Sequence, residues 1–146
     1  MKVGNLYIIK NNHNNMYSIE KRSSGYILKF SGLIDEKEMQ KWYDESIRVL
    51  SLEKTNSFGV IIDMKDLQPL SSDTSSIMKN GQKLYKDKGM KRSVVILNSD
   101  KICNQFKNIA IQSGIYLTER YINASVVDNY IDVAINWVKD GIDPDK

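Results

Sequence analysis

Two short runs near the start of the chain alternate between apolar and polar positions. Met16, Tyr17 and Ile19 form the first, and Tyr26, Leu28 and Phe30, interleaved with Ile27, Lys29 and Ser31, form the second. Arg22-Ser23-Ser24-Gly25 lies between them, and two such runs around a glycine-bearing turn predict a β-hairpin. The pattern then changes period. From Asp35, a good N-cap with Glu38 three residues on, Met39, Trp42, Tyr43, Ile47 and Leu50 recur at helical spacing and define one apolar face.

Phe58-Gly59-Val60-Ile61-Ile62 and Ser93-Val94-Val95-Ile96-Leu97 are short runs of mostly apolar, β-branched residues, as expected of central strands covered on both faces. The first is read as ending at Asp63. Pro69 forbids helix in the following loop, and Asp73 or a neighbouring serine caps a second helix with Ile77, Gly81, Leu84 and Tyr85 on its apolar side. Asn98-Ser99-Asp100 caps a third helix carrying Ile102, Phe106, Ile109, Ala110 and Ser113 on one side, stopped by Gly114. Glu119–Asn123 reads as a short last strand. A closing helix runs from about Val126 to Asp140, with Val127, Tyr130, Val133, Ala134, Trp137 and Val138 inward and Gly141 as its stop.

A hairpin, three helix–strand repeats and a closing helix predict a single α/β domain. Its sheet is mixed and mostly parallel, with about five strands and about four helices. Residues 1–15 read as a head, partly extended or flexible; 16–140 form the domain, and 141–146 a tail. At 146 residues, 27% of them charged and 41% hydrophobic, the chain has ordinary globular composition and can bury a core. The net charge of +3 neither demands nor excludes an anionic partner. No run approaches the roughly 18 apolar residues of a membrane span, and the apolar stretch Leu6–Ile9 is too short for a signal peptide. With one cysteine, Cys103, these features point to a cytoplasmic protein.

Three segments resemble the STAS superfamily, and more closely its bacterial SpoIIAA-like (STAS/SEC14-like) branch. Gly25–Ile34 looks like the opening strand, glycine and helix entry, and Val60-Ile61-Ile62-Asp63-Met64 looks like the strand before the variable loop. Glu119-Arg120-Tyr121-Ile122, with Tyr130, Ala134, Ile135, Asn136 and Trp137, resembles the branch's ending. The resemblance implies a regulatory binding module without enzymatic activity or cofactor. In anti-sigma antagonists of this superfamily a serine in Asp-Ser-Ser-Gly is phosphorylated. Here the stretch is Leu70-Ser71-Ser72-Asp73-Thr74, with the acid after the serines and no glycine.

The candidate working edge is therefore the loop and helix start after the third strand: Asp63, Leu67, Leu70, Ser71, Ser72 and Asp73. A helix N-terminus favours anions, while Ser and Asp there also serve as plain caps. Asp63, Asp66 and Asp73 match no metal-binding loop. Lys79, Lys83 and Lys86 share one helix face, either a solvated surface or a patch for phosphates, acidic lipids or an acidic partner. Trp42, Tyr43, Tyr130 and Trp137 are core residues or line a pocket between helices and sheet. A lone His13 leaves no His-based triad or zinc site, Cys103 reads as structural, and nothing marks a nucleic-acid binder. The expected partner is a protein, including a second copy of the chain; the alternative is a small apolar or lipid-like ligand.

Overall fold

The computed structural model describes residues 5–12 and 15–146, with side-chain surroundings from Met16 onward. Six strands form one sheet in sequential order: β1 Asn5–Asn12, β2 Asn15–Arg22, β3 Gly25–Gly32, β4 Phe58–Leu67, β5 Met90–Leu97 and β6 Glu119–Asn123. The first two pairings are antiparallel and the last three parallel. The five expected strands are all there, and β1 adds a sixth from within the N-terminal head. His13 lies outside the described residues.

Four α-helices complete the domain: α1 Glu36–Leu50, α2 Ser72–Lys88, α3 Asp100–Ser113 and α4 Tyr130–Asp140. Parallel neighbours in chain order put the three crossover helices on one face. Met39 and Trp42 of α1, Met78 and Tyr85 of α2 and Cys103 of α3 share a core with Leu28, Val60, Ile62, Val95 and Leu97. Ala134, Trp137 and Val138 of α4 cover the opposite face over Ile61, Val94, Ile96 and Ile122.

The helix starts follow their capping chemistry. Asp35 accepts the Glu38 amide at 2.8 Å, Ser71 that of Thr74 at 3.1 Å, and Ser99 that of Ile102 at 3.3 Å. Of the caps proposed for α2, the serine is the one used. The last helix begins four residues later than expected. The Asn123 carboxamide accepts the amide and hydroxyl of Ser125, and this turn occupies the backbone around Val126.

The third expected strand is longer than its apolar run. Asp63 sits within β4, where it opposes Lys29 of β3 and Ile96 of β5. Pairing continues to Leu67 through an irregularity between Lys29 and Ser31. Three residues of β4 there advance against two of β3, the signature of a β-bulge, which turns Leu67 back toward the α1–α3 core. The apolar period missed this because Asp63, Lys65 and Asp66 look like loop.

Candidate functional site

The carboxyl ends of the parallel strands form the edge where open α/β sheets present their binding surfaces. The structure divides the predicted residues of this edge between two faces. Asp63 is buried on the α4 side, where its carboxylate receives the Lys65 ammonium at 2.8 Å. Lys65 also lies over the Tyr130 ring, 5.3 Å from its centroid, and Asn98 donates to the Lys65 carbonyl at 2.8 Å. Burial pulls the Lys65 ammonium down, but Asp63 and Tyr130 outweigh it and hold the group above its ordinary value. Asp63 thus anchors the bulge.

Leu67, Leu70, Ser71, Ser72 and Asp73 gather on the other face. Leu67 and Leu70 are half-buried against the core, while Ser71, Ser72 and Asp73 are exposed. Ser71 spends its hydroxyl on capping, accepting the Thr74 amide and bonding Thr74 Oγ1 at 2.9 Å. The Gln68 amide donates to the Gly32 carbonyl at 2.9 Å, which brings the loop beside Leu33, an apolar side chain 64% exposed. Leu33 was missed because a lone leucine after a strand-ending glycine carries no periodic signal.

The basic residues Lys79, Lys83 and Lys86 are all exposed on α2. Lys83 pairs with Asp87 at 3.3 Å; Lys79 and Lys86 take part in no ion pair among the described residues. The four aromatic residues are not brought together. Trp42 and Tyr43 lie with α1 on one face, and Tyr130 and Trp137 with α4 on the other. Trp42 is fully enclosed, stacked near-parallel on Tyr85 and edge-on to Phe30. Trp137 donates its indole N–H to the Ser93 carbonyl at 2.8 Å. Cys103 is buried, and burial with Asp100 and Asp145 nearby pushes its thiol up, away from nucleophilic use.

Two ionic fastenings were not foreseen. Arg120 lies between the rings of Tyr116 and Trp137, with its guanidinium 3.8 and 4.3 Å from their centroids. It grips both Asp143 carboxylate oxygens, at 2.8 and 3.1 Å, and so ties the C-terminal tail to β6. The hydrogen bond from Arg120 brings the Asp143 carboxyl down to about 2. At the other end of the sheet Glu53 accepts Lys21 at 2.8 Å, the Tyr26 hydroxyl, and the amide and hydroxyl of Thr55. Burial alone would raise the Glu53 carboxyl; those bonds outweigh it and hold it at about 2. Both carboxylates lie in irregular segments, where sequence offers no period to place them.

No protein-family model and no curated protein matches the chain. Among solved structures it is similar to an uncharacterized protein of the DUF3478 family, with a SpoIIAA-like fold, from Shewanella loihica PV-4. The two are 18% identical, with a TM-score of 0.57, over 89% of this chain and 98% of the other. The fold is thus SpoIIAA-like, as the three sequence segments implied. No helix among the described residues is long and apolar enough to cross a membrane.

Proposed function

We propose that the protein is a non-enzymatic, STAS-like binding module that receives a protein partner at the carboxyl edge of its sheet. The observation that carries this reading is the apolar ridge of Leu33, 64% exposed, beside half-buried Leu67 and Leu70, next to the exposed Ser72 and Asp73 of α2. Apolar side chains ringed by polar ones suit a modest protein interface. Asp63 and Lys65 are engaged in holding the bulge and Ser71 in capping, while Asp73 stays exposed. The cytoplasmic, regulatory setting belongs to this same proposal.

The test is affinity purification of the tagged protein from its own cells. Leu33→Glu and Leu70→Glu should each release a partner that the unaltered chain retains, while circular dichroism stays unchanged. Retention of every partner by both variants would refute the reading.

A further inference from the structure

Helices α1 and α2 pack against one another, but α2 and α3 do not close in the same way, although they lie on one face over adjacent strands. Helices in contact ordinarily sit about 8–10 Å apart, with side chains interleaved. Between α2 and α3 a cleft remains open. Its lower end widens into a cavity of about 590 Å³ lined by Gln82, Lys83, Lys86, Arg92 and Ser113, with one acid, Glu119, which accepts hydrogen bonds from Ser93 and Tyr121.

The two walls differ in chemistry. The α3 wall carries Ile102, Phe106 and Ile109, three and four residues apart and so on one stripe, leading down to Ser113. Phe106 packs edge-on against Tyr121 of β6, but Ile102 is 37% and Ile109 65% exposed. The α2 wall is hydrophilic and cationic: Gln82, Lys83 and Lys86 line the cleft, and Lys79 lies on the same helix face one turn before them. Lys79 and Lys86 have no ion-pair partner among the described residues, and the Lys83–Asp87 pair is exposed on both sides.

We propose that this cleft receives an acidic amphipathic helix of a partner protein, with its apolar face on Ile102, Phe106 and Ile109 and its acidic flank on Lys79, Lys83 and Lys86. The stripe from Ile102 to Ser113 runs about 16 Å, the length of three helical turns. The charge on the α2 wall selects acid over base along the flank. An anionic bilayer fits less well, because it needs apolar and cationic groups on one outward surface, not on facing walls of a concavity. A small ligand fits less well too, because such ligands are mostly enclosed, whereas Ile102 and Ile109 stand exposed. The surface is distinct from the Leu33–Leu70 edge, so either assignment can fail alone.

The probe is a fluorescein-labelled Leu/Glu amphipathic peptide of about 18 residues, five helical turns, titrated by polarisation. Its counterpart carries Lys in place of every Glu. Saturable binding of the acidic peptide is expected, weakened about tenfold or more by Ile109→Glu and by the triple change Lys79→Glu, Lys83→Glu, Lys86→Glu. Thermal melts verify that both variants fold, and Leu70→Glu should leave the affinity unchanged. Absence of saturable binding, equal affinity for the Lys peptide, or indifference to both cleft variants overturns the proposal. So does binding to phosphatidylglycerol vesicles in place of the peptide, which would assign the surface to a membrane.

Discussion

Two helix pairs on the same face of the sheet reach opposite outcomes. Between α1 and α2, Trp42 is pushed against Gly81 until a Cβ there would stand 2.2 Å from the indole ring. The Ser46 and Tyr85 hydroxyls meet at 2.8 Å inside the seam, while the Trp42 indole nitrogen is enclosed there with no hydrogen-bond partner among the described residues. Between α2 and α3 no glycine admits a large ring. Long charged or amide side chains face isoleucines, and the two surfaces stay apart. One seam is written as a lock and the other as an opening, by residues adjacent in sequence on α2, Gly81 and Tyr85 against Gln82 and Lys86.

The largest effect should come from emptying the lock. Trp42→Ala removes a fully buried indole and is expected to cost about 3–5 kcal/mol by urea unfolding. Filling it from the other side should also hurt. Gly81→Ala gains helix propensity but drives a methyl into the Trp42 ring, for a net loss of about 1–2 kcal/mol. A neutral or stabilising Gly81→Ala would mean that the α1–α2 seam is looser than its geometry indicates.

Much of this contrast was legible before the structure, and the rest was not, for physical reasons. Helical spacing identified Trp42, Gly81 and Tyr85 as inward and placed Ile102, Phe106 and Ile109 on one stripe. Periodicity says which side of a helix is apolar; it does not say whether a neighbour covers that side. The residues placed on one side of α3 accordingly divide, with Ala110 buried and Ile109 65% exposed. The same limit explains β4. Asp63, Lys65 and Asp66 break the apolar period, and only pairing with β3 carries the strand through the bulge to Leu67. The aromatic quartet failed as a pocket because residues alike in type sit on helices assigned to opposite faces.

The ionic fastenings sharpen the comparison through pH. Glu53 secures the end of α1 to the hairpin on the closed side, and Asp143 secures the tail to Arg120 near α3. Each carboxyl lies at about 2 in the folded chain, below its ordinary value near 4. A depressed folded value contributes stability above the unfolded value, and that contribution is lost as pH falls toward the folded one. Stability should therefore decline between about pH 4.5 and 2, and Glu53→Gln should flatten that decline. The same variant should cost about 1–3 kcal/mol at neutral pH, because it weakens the charge-assisted bonds from Lys21 and Tyr26. A denaturation series in which Glu53→Gln follows the parent's pH profile would remove Glu53 from this role.

The smallest effect belongs to the open side. Ile109 and Trp42 are both large apolar residues on helices of the same face, yet only Trp42 is enclosed. Ile109→Glu replaces a side chain that water already reaches, on the flank of α3 that carries Ser113 and not in a packed core. Its unfolding free energy should stay within about 0.5 kcal/mol of the parent, the range of ordinary surface changes. A loss near that of Trp42→Ala would mean that α2 and α3 close on each other in solution and bury the stripe. The cleft would then be a second lock, and the difference between the two seams would vanish.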